Sequence, residues 1–318
     1  MKRLLVALLL FCGVLAIPSP ASAQTCSATI STIDFGSPSL ISGGPLDVTG
    51  TVTVTCTSIP LLSVVKVCPG IGAGSGGTDG SGRLMAGPSG SLRYQLYQDT
   101  ARSVAWGSLD NPVLGTVPAI IVSGSLNGAG SATRILYARL FGGQTSAVPG
   151  SYQSNFAGNA TNFSYGAQLL GASNSCTGFA GAASIRPTFS VLAAPPKGCT
   201  IAATPLTFPT AGVLSRAVTA QSQLSVACTN QTAYALQLDA GRNADAAGGR
   251  RMRGPSGGFI SYGLFRDAAL ASAWSAGAQQ SGMGLGTTQQ MTIYGRVPVQ
   301  TTPSPGLYSD TVVATVTY

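Results

Sequence analysis

The chain repeats itself, and that repeat limits its possible folds more than any other feature. Cys26 and Cys56 stand 30 residues apart, and Cys199 and Cys228 stand 29 apart. After each second cysteine comes a glycine-rich arm and then one tetrapeptide: Gly87-Pro88-Ser89-Gly90 in the first half, Gly254-Pro255-Ser256-Gly257 in the second. Tyr94-x-Leu96-Tyr97-x-Asp99 then matches Tyr262-x-Leu264-Phe265-x-Asp267, and Trp106 matches Trp274. Further on, Tyr137-x-Arg139 matches Tyr294-x-Arg296, and Pro149-Gly150-x-Tyr152 matches Pro305-Gly306-x-Tyr308. Anchors recurring in one order mark a tandem duplication, so each half must fold as a unit of its own.

Each unit reads as β. Of 318 residues, 42 are Gly and 19 Pro, only 8% are charged, and Glu does not occur. The straight charged side chains that keep rotamer freedom in a helix are therefore scarce. A content of 44% apolar residues is too high for a disordered chain. Residues 47–55 (DVTGTVTVT) alternate with the two-residue period of a half-buried strand, and residues 223–227 hold the same place in the second unit. Residues 310–318 put Val312, Ala314, Val316 and Tyr318 on one face. Short runs separated by Gly and Pro clusters suggest a sandwich of antiparallel strands.

Composition also removes chemistry. Without a single His, neither a Ser-His-Asp triad nor a His-ligated metal can be built. Asp99 and Asp267 occupy equivalent repeat positions, which points to a structural role rather than a facing catalytic pair. No Gly-Lys-Ser/Thr follows the Gly-Pro-Ser-Gly elements, so they are turns and not phosphate loops. The expectation is a protein that is not an enzyme and uses no cofactor and no metal.

Lys2 and Arg3, the apolar residues 4–17 and Ala21-Ser22-Ala23 read as a secretory signal peptide, with the mature chain starting near Gln24. The apolar run is short of the ~20 residues that a membrane span requires. Cys12 leaves with this leader. Cys26, Cys56, Cys68, Cys176, Cys199 and Cys228 remain, an even set that favours disulfides in an exported protein. Six cysteines allow 15 pairings. Repeat symmetry favours Cys26–Cys56 and Cys199–Cys228, leaving Cys68 with Cys176.

The units differ in two ways. Trp106 to Tyr137 spans 31 residues but Trp274 to Tyr294 spans 20, and the surplus falls on residues 112–122. Val113, Leu114, Val117, Ile120 and Ile121 concentrate apolar surface there, as a binding loop would. The rival reading makes residues 119–122 a buried strand. Residues 60–65, with Leu61 to Val65, read as core or strand, and Leu140-Phe141-Gly142-Gly143 as a third candidate loop. Beyond Tyr152 the first unit also runs on for about 40 residues to a strand-like stretch, residues 184–193, which the second unit lacks. Residues 194–198 (APPKG) read as a semi-rigid linker. The expected division is a leader at 1–23, an N-terminal domain at 24–193 and a C-terminal domain at 199–318. Arg242, Arg250, Arg251 and Arg253 read as a solvated loop or subunit contact. A net charge of +8 raises nucleic acid as a partner, but an export signal argues against it.

Together these motifs resemble the spore coat protein U domain family, which includes the subunits of archaic (Csu-type) chaperone–usher pili. Residues 197–318 match almost throughout, and residues 26–152 match before the first unit departs. The resemblance implies two tandem immunoglobulin-like antiparallel β-sandwiches, the second incomplete and needing a donor strand. Its open edge would carry Val312, Ala314, Val316 and Tyr318. A periplasmic chaperone would fill the cleft first, at an outer-membrane usher, and the next pilin subunit would then replace it. Cleavage after Ala23 would leave only Gln24 and Thr25 ahead of Cys26, so the chain is expected to accept a strand without donating one. That places it at the pilus tip, as a surface adhesin with hydrophobic loops for apolar or host surfaces and a role in biofilm formation. A secreted coat or matrix protein using the same domain twice is the alternative.

Overall fold

The computed structural model describes residues 24–318; the leader read at residues 1–23 lies outside them. Among the described residues the secondary structure is β, apart from two 3-10 turns at Pro112–Leu114 and Gly158–Ala160. The first unit holds β1 (Thr25–Ile30), β2 (Ile33–Asp34), β3 (Leu46–Thr57), β4 (Ser63–Ile71), β5 (Arg83–Ala86), β6 (Ser91–Tyr97), β7 (Ile120–Ser123), β8 (Gly130–Leu140), β9 (Tyr152–Phe156), β10 (Thr161–Leu169), β11 (Ala183–Ile185) and β12 (Phe189–Ala193). An eight-stranded sheet, β1-β3-β8-β6-β5-β9-β12-β2, packs on a four-stranded one, β11-β10-β4-β7. The second unit holds β13 (Cys199–Ala203), β14 (Val218–Cys228), β15 (Ala233–Leu238), β16 (Arg251–Arg253), β17 (Phe259–Ser261), β18 (Gly263–Phe265), β19 (Gln279–Met283), β20 (Thr288–Val297) and β21 (Ala314–Thr317). Its sheets are β13-β14-β20-β18 and β19-β15-β21, with a small β16-β17 hairpin.

The duplication is visible in the topology. The order β1-β3-β8-β6 recurs as β13-β14-β20-β18, and β10-β4-β7 recurs as β21-β15-β19. Strand alternation builds the core: along β3, Val52, Val54 and Cys56 are buried while Thr51, Thr53 and Thr55 face outward or lie at the surface. Thr53 and Thr55 hydroxyls meet those of Thr133 and Ser131 across the ladder, cross-strand contacts of the kind that stabilise sheets.

Register explains the cysteine spacing. Cys26 lies directly opposite Cys56 in the β1–β3 ladder, and Cys199 opposite Cys228 in the β13–β14 ladder. Both pairs are disulfides, and Cys68–Cys176 is the third. The paired tetrapeptides also gain a reason. A Cβ on Gly87 would sit 2.1 Å from the Tyr152 ring, and one on Gly254 would sit 2.5 Å from the Tyr308 ring. The Gly-Pro-Ser-Gly turn and the Pro-Gly-x-Tyr element therefore recur together because each docks on the other. Trp106 and Trp274 are buried at equivalent places in the two cores.

Candidate functional site

A slot beside Tyr308 is filled in one unit and empty in the other. In the first unit β12 lies between β9 and β2, antiparallel to the former and parallel to the latter. Its Phe189, Val191 and Ala193 point into the core, and Phe189 stacks on Phe156 with ring centroids 4.2 Å apart. Backbone bonds from Phe35 N to Leu192 O (2.9 Å) and from Ala194 N to Gly36 O (2.7 Å) hold it to the N-terminal strand. The repeat places residues 308–312 where β9 lies, and Leu206 and Phe208 where Ile33 and Phe35 lie.

Residues 308–312 have a ladder partner on one side only, the Arg253–Ser309 bridge. Where β12 would lie there is a groove of about 640 Å³ between the two sheets of the second unit. Leu206, Phe208, Leu264, Ile293, Tyr308 and Val312 line it. Burial reports the difference: Tyr152, Ser154 and Phe156 are buried, whereas their counterparts Tyr308, Asp310 and Val312 are half-buried. Val312, Ala314 and Val316 lean on the core, and Tyr318 is exposed. The regular strand begins only at Ala314, so the apolar alternation from residue 310 does not make one continuous strand. Val312 and Ala314 line the groove, while Val316 pairs with Leu236 of β15.

Polar groups anchor the groove's floor. Tyr262 donates from its hydroxyl to Asp310 Oδ2 at 2.8 Å, and Asn243 donates to Asp310 Oδ1 from its backbone N (3.2 Å) and Nδ2 (3.0 Å). Burial and the Asp310 carboxylate push the Tyr262 phenol well above the ordinary tyrosine range. Arg250 is not solvated, as the sequence suggested, but buried. Its guanidinium donates to the carbonyls of Asp239 and Trp274. Arg83 does the same in the first unit, to Gly72, Ile71 and Trp106, and burial lowers its pKa to about 10. Arg251 lies over the Phe259 ring, and Arg242 and Arg253 are exposed. Asp99 and Asp267 each accept backbone N–H bonds within their own turns, from Val104 and Ser272 among others.

The apolar insertion is not a projecting loop. Leu114 is 2% exposed and Ile120 4% exposed, so both belong to the core. Ile120 and Ile121 lie in β7, which pairs with Val67 and Lys66 of β4. The reason is pairing: a β-branched run beside an unfilled ladder becomes a strand and buries alternate residues. Val117 and Ile121 are half-buried, and only Val113, at 71%, is well exposed. Leu140 is likewise buried.

Exposed leucines gather elsewhere. Leu61 and Leu62 are each 78% exposed, Leu126 is 98% exposed, and Leu169 and Leu170 are also exposed. Ile59 N donates to Gly128 O (2.9 Å) and Leu170 N to Leu62 O (3.4 Å), tying the three loops into one pole. The loop carrying Leu126 leads into Gly130, the start of β8. A contact with the second unit, Asn230 Nδ2 to Ser146 O at 2.7 Å, lies past the other end of that strand. Residues 60–65 thus divide, with Leu61 and Leu62 outside and Val64 and Val65 inside.

Comparison with known proteins agrees with this architecture. Protein U of Myxococcus xanthus is 36% identical over 104 residues, which cover 30% of this chain and 58% of that protein. A solved structure, the CsuC–CsuE chaperone–tip adhesion subunit pre-assembly complex from archaic chaperone–usher Csu pili of Acinetobacter baumannii, shares the fold. It matches with a TM-score of 0.56 at 19% identity, over 92% of this chain and 100% of the matched chain. Residues 14–158 and 185–315 match the family described as Spore Coat Protein U domain. Two matched segments, one per unit and together spanning most of the sequence, establish that the chain belongs to the Spore Coat Protein U domain family.

Proposed function

We propose that this protein is an exported fimbrial adhesin, the tip subunit of a fibre assembled by the chaperone–usher route, and not an enzyme. The observation that carries the reading is the slot beside residues 308–312, filled by β12 in one unit and empty in the other. An apolar edge left unpaired invites aggregation unless a strand covers it. A periplasmic chaperone supplies that strand first, and the next pilin subunit replaces it by donor-strand exchange at the outer-membrane usher. The first unit completes itself with β12, so the chain requires one strand from outside rather than two. Its remaining pole is free for attachment at the cell surface.

The leucine pole is the attachment site in this reading, in place of the buried Leu114 and Ile120. Leu61, Leu62, Leu126, Leu169 and Leu170 present apolar surface to plastic or to apolar host surfaces. Each aliphatic side chain contributes ~1.5–3 kcal/mol if fully buried, and less in partial contact. Many fibres acting together raise this to firm attachment and biofilm formation without a specific receptor. Nucleic acid has no place in this account.

Expression in a bacterial periplasm, with and without a co-expressed pilus chaperone, tests the proposal. The chain should be recovered mostly as a complex with the chaperone, and in lower yield without it, with the second unit the less stable of the two. No complex with the chaperone, and equal yield with and without it, would favour a coat or matrix protein instead.

A further inference from the structure

The two slots share one shape and differ in one polar residue. Phe35 meets Tyr94 edge-on with ring centroids 6.3 Å apart, and Phe208 meets Tyr262 edge-on at 6.3 Å. In the first unit β12 sets Phe189 opposite Phe156, Val191 opposite Ser154 and Ala193 opposite Tyr152. The corresponding wall of the empty slot reads Val312, Asp310 and Tyr308. The apolar Val191 therefore faces a small hydroxyl in one slot, and its counterpart would face a carboxylate in the other.

That carboxylate is incompletely satisfied. Ser154 is fully buried once β12 is in place, and Asp310 is half-buried with the slot empty. A strand seated as β12 is would cut Asp310 off from water in the same way. Its Oδ1 already accepts two hydrogen bonds from Asn243, and its Oδ2 accepts one from Tyr262. An ionised carboxylate offers about four acceptor sites, so one remains open on Oδ2. Leaving it unmet in a dry groove is unfavourable. Positive charge is already at hand: burial lowers the pKa of Arg250, and Tyr262, Asp239 and Asp310 oppose that shift. What is missing is one neutral donor.

Resting on the reading of the slot as a strand acceptor, we infer that the strand it takes carries Ser, Thr or Asn at its central inward position, beside Asp310. Directly opposed residues of an antiparallel pair have Cβ atoms about 4.5–5.5 Å apart, within reach of a hydroxyl or an amide. Valine there leaves the open acceptor unpaired, and Asp there adds a like charge. A consequence is that β12 of one copy is a poor fit for the second unit of another, which discourages self-association.

Labelled ten-residue peptides with the sequence of residues 186–195 supply the test. Val191 is retained or changed to Thr, Asn or Asp, and binding to the full mature chain is followed by fluorescence anisotropy. Thr and Asn peptides should bind about tenfold more tightly than the Val peptide, and the Asp peptide most weakly. In Asp310→Ser the advantage of Thr over Val should vanish. Asp310→Asn, which can still accept from Tyr262, is the second variant should the first fail to fold, and it should abolish the penalty on the Asp peptide. Equal binding of Val, Thr and Asn peptides to the unaltered chain overturns the inference while strand acceptance stands. Binding by none of the peptides overturns strand acceptance itself.

Discussion

Arg250 donates from Nη1 to the carbonyl oxygen of Trp274 at 2.6 Å, locking the arm of the second unit to its central tryptophan. The same guanidinium donates to Asp239 O from Nε at 2.9 Å and from Nη2 at 2.6 Å, and no carboxylate among the described residues is in salt-bridge contact with it. The planar fork of arginine suits several carbonyls at once, and the single ammonium of lysine does not.

Removing that fork leaves buried carbonyls unpaired. Arg250→Met should lower the stability of the second unit by about 2–4 kcal/mol, and Arg250→Lys should recover less than half. Urea unfolding followed by Trp274 fluorescence in a Trp106→Phe background measures it. Loss of less than about 0.5 kcal/mol in Arg250→Met would show that the clamp is dispensable.

The leucine pole and the former loop candidates separate cleanly. Leu61→Ser, Leu126→Ser and Leu170→Ser should each shift stability by no more than about 0.5 kcal/mol, because these side chains are exposed. Combined, they should abolish attachment to plastic with normal fibre numbers. Leu114→Ala and Ile120→Ala should instead cost about 2–5 kcal/mol, since both side chains are in the core. Retained attachment in the triple variant would move the binding surface elsewhere.

Cys68–Cys176 closes a separation of 108 residues and pins the segment after β10 to β4. Lys66 helps, donating from Nζ to Ser173 O (3.0 Å) and Ser175 O (2.9 Å) beneath the Phe179 ring. Replacing both cysteines with Ser should destabilise the first unit by about 2–5 kcal/mol. Limited proteolysis should then cut within residues 170–182, which should resist in the oxidised protein. An unchanged cleavage pattern would show that Lys66 suffices.

Acid should weaken the fold over a defined window. Hydrogen bonds from Ser81, first its backbone N–H, hold the Asp79 carboxyl down at about 2. The backbone N–H groups of Val104 and Ala271 lower Asp99 and Asp267, and Arg139 lowers Asp47. A carboxyl depressed in the folded state contributes stability that is complete above its unfolded value near 3.8 and is lost as pH falls through the folded value. Urea midpoints should therefore be flat from pH 6 to about 4.5 and fall between about 4 and 2. Asp79→Asn should reduce the fall. A midpoint unchanged down to pH 2 would contradict these assignments.

Much of the architecture was legible because duplication makes the chain its own comparison. The cysteine pairs and the β class both follow from aligning one half with the other. The burial of Leu114 was not legible, and that of Ile120 was one of two open readings, because an apolar run reads alike whether it projects or joins a ladder, and only the β4 partner decides. Leu126, Leu169 and Leu170 sit singly or in pairs among Gly and Ser and carry no periodicity. Arg250 hid in an arginine-rich arm whose neighbours do reach solvent. Its match to Arg83, each four residues before a Gly-Pro-Ser-Gly element, was the available signal.

The central claim is that the second unit lacks one strand and the first does not. Thermal unfolding of the full chain with a saturating ten-residue donor peptide tests it, reading each unit through its own tryptophan in Trp106→Phe and Trp274→Phe backgrounds. At a hundredfold excess over Kd the second unit should gain about 2.7 kcal/mol, raising its Tm by roughly 10 °C, and the first should not move. Equal shifts in both units, or none in the unit reported by Trp274, would contradict the account.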